Sequence, residues 1–128
     1  MRTDFSDDRA WRDIERVARE PVGVDGFLAY LTFLDDPSFA QLSAADALRL
    51  ARGAYRHGFV VLADATSMRG PDHPVLVVDL MAEPGRAFRA IPQSLQSVEN
   101  NLSIANMDFA EFADLADSSR GGIFRDFE

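Results

Sequence analysis

The run Val75-Leu-Val-Val-Asp-Leu-Met81 sets four consecutive aliphatic residues after Pro74, then one carboxylate, then two more apolar residues. A run this short and this β-branched reads as a strand covered on both faces, so neighbouring segments must supply two covers. Phe59-Val-Val-Leu-Ala-Asp64 and Phe27-Leu-Ala-Tyr-Leu-Thr-Phe-Leu34 have similar character and predict two further strands. Neither face of the 27–34 run is strongly polar, which places it inside a sheet. Arg2-Thr-Asp-Phe5 is read as a short first strand. Glu83-Pro-Gly-Arg86 carries Pro at i+1 and Gly at i+2, the signature of a type II turn. Ala87–Ile91 then returns from it, making a hairpin with 75–81.

Between these runs the apolar spacing becomes helical. Trp11, Ile14 and Val17 or Ala18 mark one face of a first helix, capped by Ser6, with Asp7 and Asp8 in its first turn and Pro21 and Gly23 beyond its end near residue 19. Asp8–Arg12 and Glu15–Arg19 have the spacing of ion pairs on a helix. Ser43 with Asp46 is a weak capping box opening a second helix from about Ala44 to Arg56. Leu48, Ala51 and Tyr55 face inward on it, and Arg56 with His57 complements the negative end of its dipole. Residues 65–74, with Gly70, Pro71 and Pro74, read as a loop. Residues 93–106 fit a helix through Leu95, Val98, Leu102 and Ala105, and fit a strand through Val98, Asn100, Leu102 and Ile104; helix is preferred. Asp108 with Glu111 caps a short helix whose inner face is Phe109, Phe112 and Ala116, and Gly121-Gly122 breaks it. Ile123–Phe127 reads as an edge strand or a tail docked by its two phenylalanines.

The predicted class is therefore α/β: one domain over residues 1–128, with a mixed sheet of about five strands and helices packed on it, in the order βαβαββα(α). A chain of 128 residues suffices for one core without staples. The order loosely resembles a thioredoxin-like arrangement, but Cys-x-x-Cys is missing and no redox function follows. With no cysteine there is no thiol nucleophile and no thiolate metal site. All 13 basic residues are arginine, which removes Schiff-base chemistry and the P-loop lysine. No segment has the length of a membrane span, and the polar first residues lack the apolar run of a signal peptide, so the expected location is the cytoplasm. The Asn101-Leu-Ser103 sequon is then accidental.

Charge changes the picture more. The net charge is −8, and residues 92–128 hold 7 acids against 2 arginines. Such a field repels nucleic acid and anionic lipid and favours a basic protein partner. Asp108, Glu111, Asp114 and Asp117 step by three along the last helix, so they fan across its outer side. These four are the predicted partner-binding residues; the bland alternative is an ordinary solvated face.

Four stretches together carry a resemblance: Arg2–Asp8, His73–Leu80, Glu83–Arg86 and especially Ser97-Val-Glu-Asn-Asn-Leu-Ser-Ile-Ala-Asn-Met-Asp-Phe109. The chain resembles a family of small domains of unknown function from high-GC Gram-positive bacteria. The resemblance implies a bacterial cytoplasmic setting and, by analogy, a small immunity or partner-binding protein. It assigns no functional residue.

The enzymatic alternative is a metal-dependent hydrolase or nuclease using Asp64 and Asp79, with His73 between them. Only ten residues separate the two strands, too few for the crossover that parallel neighbours need, which argues against a shared site unless a strand intervenes. On the structural reading both aspartates bond to turn amides, and His73 is an exposed loop residue. Two histidines 16 apart match no zinc motif, and no metal or cofactor is expected. Asn100, Asn101 and Asn106 either line a recognition surface or satisfy loop backbone; the second is favoured. A homodimer could form through the 87–91 strand edge or the 123–127 tail.

Overall fold

The computed structural model describes residues 1–54 and 58–126. Its centre is the expected strand, Val75–Asp79 (β2), between Phe59–Leu62 (β1) and Ala87–Ala90 (β3). Both neighbours are antiparallel to it, with Val77 opposite Val61 on one side and Phe88 on the other. A two-residue strand, Ile123–Phe124 (β4), pairs parallel with β3 and completes the order β1-β2-β3-β4. The sheet is mixed, as expected, but has four strands among the described residues rather than about five.

Both faces of β2 are covered. Val75 and Val77 belong to the larger core with Trp11, Ile14, Phe88, Leu95, Val98 and Phe112. Val78 points the opposite way, into a smaller cluster with Ala47, Val60 and Leu62. The larger cover comes from helices Asp8–Arg19 (α1), Leu95–Ser103 (α4) and Phe109–Asp117 (α5). The smaller comes from Ala44–Ala54 (α2). Phe88 gathers three further rings, with centroids 5.0 Å away at Phe109, 6.1 Å at Phe112 and 6.5 Å at Phe124. This packing docks α5 and β4 on β3.

The helices follow their sequence signals closely. The cap of α1 is Asp7 rather than Ser6, and it accepts from the Ala10 amide at 3.0 Å. Ser6 instead donates to Asp4. Glu15 and Arg19 pair at 2.9 Å, but Asp8 pairs with Arg2 at 2.6 Å instead of the expected Arg12. Arg2 is 4 % exposed and lies 4.4 Å above the Phe5 ring, so it clamps the start of α1 from beneath. Ser43 and Asp46 form the reciprocal box at α2. Leu48 and Ala51 are half-buried there, while Tyr55, Arg56 and His57 lie outside the described residues. The helical alternative holds for 95–103. Residues 65–74 are not all loop: Ala65–Arg69 (α3) forms because Asp64 and Ser67 cap its first turn reciprocally.

The first two expected strands are corrected. Arg2 makes a single parallel bridge to Ala63, and beyond Thr3 the chain turns through Asp4 and Ser6 into α1. Phe27 bridges only to Val22. Residues 28–34 contain no regular strand; Leu31 and Phe33 pack on the core, while Tyr30 is 82 % exposed. Strand-type side chains report fit to a half-buried surface rather than a ladder. Here the segment's polar groups bond elsewhere: the Tyr30 amide to Glu99, the Leu28 carbonyl to Asn100, the Leu34 carbonyl to the Arg2 amide. The observed order is thus ααβαββααβ, counting regular helices and strands only.

The hairpin turn forms as expected. Arg86 N–H donates to the Glu83 carbonyl at 2.9 Å, and Gly85 has φ +95°, which type II geometry requires of its third residue. Since Phe112 is fully buried among these rings, Phe112→Ala should cost about 3–5 kcal/mol, read as a lowered midpoint in denaturant titration.

Candidate functional site

Helix α5 stands on the sheet through Phe109, Phe112, Ala113 and Ala116, all buried. That fixes the opposite side outward, and Asp108, Glu111, Asp114 and Asp117 are all exposed. Asp108 and Glu111 form the reciprocal cap of the helix, the Asp108 amide donating to Glu111 at 3.2 Å. Asp114 meets Arg86, from the β2–β3 turn, at 2.8 Å. Among the described residues Arg86 is the cation paired with this row of four carboxylates, and it also pairs with Glu83 at 3.4 Å. Asp114 and Asp117 lie in the last turn, which holds no basic residue. The helix dipole disfavours negative charge there. Instead of cations, the hydroxyls of Ser118 and Ser119 donate to the terminal carbonyls of Asp114 and Leu115.

Asp64 and Asp79 do not meet. In the antiparallel β1–β2 pair Phe59 faces Asp79 and Leu62 faces Leu76, so Asp64, beyond Leu62, lies at the other end. Asp64 accepts two bonds from Arg89, each 2.8 Å, and caps α3 through Ser67. Burial pushes its carboxyl up, but the bonds and charge of Arg89, with the Ser67 bonds, outweigh that and hold it below the ordinary value. Asp79, 3 % exposed, accepts from the amides of Met81 at 3.0 Å and Glu83 at 2.7 Å. Each aspartate holds a turn, and the hydrolase reading that needed them together has no shared site. Among the described residues no group of three or more His, Asp or Glu could hold a metal ion.

His73 is half-buried rather than exposed, its Nδ1 donating to the Ser67 carbonyl at 3.0 Å. Asn100 donates to the Leu28 carbonyl far away in the chain, whereas Asn101 donates to the Ser97 carbonyl one turn back and Asn106 to the Asn101 side chain. The favoured, structural reading of them holds. The β3 edge offered for dimerisation is already taken by Ile123 and Phe124.

A cavity of about 170 Å³ lies between the 30–34 segment, β1, α1 and α4. Its lining runs from exposed Tyr30, Thr32 and Ser103 to buried Trp11, Val75 and Leu95, so it opens to solvent and reaches the core. Most of the wall is apolar. Its polar groups include Glu99, 5 % exposed, whose two oxygens accept from the Tyr30 amide at 2.5 Å and the Ser103 hydroxyl at 2.7 Å. Met1 also lines it, and its amino group donates to the Val61 carbonyl at 2.7 Å; burial lowers that group to about 6.

The model of a domain of unknown function, DUF6924, matches residues 1–127. The chain belongs to the DUF6924 family. No curated protein and no solved structure matches it. Among the described residues of this DUF6924 chain, no helix is long and apolar enough to cross a membrane.

Two residues of this member escaped the sequence reading. Glu99 shares the i, i+3, i+4, i+7 stripe of Leu95, Val98 and Leu102, and a carboxylate on an apolar stripe was the available signal. Arg2 carried none, because its partners Asp8 and Asp35 are joined to it only by the fold.

The Asp64–Arg89 pair predicts a pH dependence. A carboxyl held below its unfolded value near 4 contributes stability above that pH and loses it as pH falls through the folded value. Arg89→Met should cost about 1–3 kcal/mol at pH 7. Urea titrations of the two proteins should draw together as pH falls below the ordinary carboxylate range and through the lowered folded value, where the carboxyl becomes protonated and the pair is lost.

Proposed function

We propose that this DUF6924 domain is a non-enzymatic, cytoplasmic binding protein whose acidic α5 face docks a basic protein partner. What carries the reading is the outward row of exposed carboxylates on α5, two of them in a last turn that holds no basic residue and answered there by Arg86 from the β2–β3 turn. Asp117 stands at the end of the helix where the dipole opposes it, with no basic residue in that turn. Such a placement costs about 0.3–1 kcal/mol in the free protein, a cost that a cationic partner would return. The rest of the face supports the reading. Asp108, Glu111 and Asp114 point outward with it, and the chain as a whole carries −8. The phenylalanine cluster beneath makes the platform rigid, so little order has to be gained on contact. A small acidic domain of this kind suits a neutralising role, immunity- or antitoxin-like, toward a basic protein.

The test uses variants that spare the Asp108–Glu111 cap. A partner captured by the intact protein is purified and titrated against it. Its affinity should fall at least about tenfold between roughly 50 and 500 mM salt, as exposed charges require. Asp114→Asn with Asp117→Asn should weaken binding, and Arg86→Ala, which frees Asp114, should strengthen it. Asp117→Asn alone should raise stability by about 0.3–1 kcal/mol while weakening the partner. A partner indifferent to both salt and these substitutions would overturn the proposal.

A further inference from the structure

The cavity beside β1 carries a second reading, independent of the α5 face. Glu99 is 95 % removed from solvent and lines the cavity, yet both its hydrogen-bond partners are neutral, a backbone amide and a hydroxyl. Among the described residues no arginine forms an ion pair with it, whereas Arg2, Arg19, Arg86, Arg89 and Arg125 are all spent on other carboxylates. A buried carboxylate without a counter-charge is costly, because neutral donors return only part of the lost hydration. Its oxygens also retain acceptor capacity, since two bonds fill about half of their lone-pair sites. The Met1 amino group is already engaged by the Val61 carbonyl.

Thr32 and Ser103 stand on the solvent side, and the apolar part of the wall includes Trp11, Leu31, Phe33, Phe59 and Leu102. A space of about 170 Å³ is comparable with the engineered apolar cavity, about 150 Å³, that holds benzene. One aromatic ring or a branched aliphatic group fits, with a short arm toward Glu99.

We propose that this cavity binds a small organic cation: a primary amine on a compact aromatic or branched apolar body, its ammonium on Glu99 and its body against Trp11, Phe33 and Phe59. The ammonium supplies the counter-charge that the fold withholds, and its N–H donors take the free acceptor sites. An anion of the same shape meets the Glu99 charge and is refused. A neutral alcohol gains the apolar contact alone.

The test compares 2-phenylethylamine, 2-phenylethanol and 3-phenylpropionate as ligands of the full chain, by calorimetric titration and by chemical-shift changes of the amides of Tyr30 and Val61. The amine should bind with Kd of about 1 mM or better, and at least about tenfold tighter than the alcohol; the acid should show no binding. Glu99→Gln keeps an acceptor for the Tyr30 amide and removes the charge. It should reduce amine affinity about tenfold and leave the alcohol unchanged. Leu102→Trp fills the cavity and should abolish binding of both, with thermal unfolding confirming that each variant folds. The proposal is overturned if the amine binds no better than the alcohol, if Glu99→Gln leaves amine affinity intact, or if no ligand shifts these amides at about 10 mM.

Discussion

The structure depends on the burial of one five-residue strand from both sides at once. Val75 and Val77 are 1 % and 0 % exposed on one face, and Val78 is 0 % exposed on the other. A side-chain period of two makes this an all-or-none arrangement. A slip of one residue in β2 would exchange the two faces and set the valines that meet Trp11, Leu95 and Phe88 against α2. The neighbours are bound by the same register. Val60 and Leu62 join Val78 below the sheet, while Phe59 and Val61 join the larger core above. The four strands are short, and their order owes as much to these two covers as to the ladder.

Polar groups then hold the ends of what the valines hold in the middle. Asp79 fastens the amides of Met81 and Glu83 at one end of β2. At the other, Arg89 reaches from β3 to Asp64 and also donates to the Pro74 carbonyl at 3.2 Å. Ser67 contributes a further bond to the same carbonyl at 2.7 Å. The two aspartates that looked like a reacting pair are thus anchors at opposite limits of one strand. Asp79 spends its carboxylate on turn amides and Asp64 on a two-pronged guanidinium and a helix cap, so each is committed to holding its own end of the strand.

The sequence made local periodicity and capping legible, and left long-range partnership hidden. The stripe Trp11, Ile14, Ala18, the boxes at Ser43–Asp46 and Asp108–Glu111, and the Pro84-Gly85 turn each act within a few residues, and each appears in the fold. The 27–34 run failed for a physical reason. Its alternation does turn Leu31 and Phe33 inward, but strand identity also needs a ladder partner, and the side chains of α4 took its backbone groups first. The short helix at Ala65 was missed because Ser67, not a glutamate, completes its cap. The outward side of α5 was readable from spacing, whereas Arg86 beside Asp114 was not, since 28 residues separate them.

That failed strand is what opens the cavity. The edge of β1 at Val61 and Ala63 is taken by the backbone of Met1 and Thr3, and the 28–34 segment meets that backbone only at its end, where the Leu34 carbonyl accepts from the Arg2 amide. Instead the segment is held off the sheet by Glu99, whose carboxylate accepts the Tyr30 amide, and by Asn100, which donates to the Leu28 carbonyl. Glu99 therefore does two jobs that pull in opposite directions for stability. It positions the wall of the cavity, and it places an unpaired negative charge inside it. A glutamine would serve the first role without the electrostatic cost, so the carboxylate is the feature that structure alone does not require.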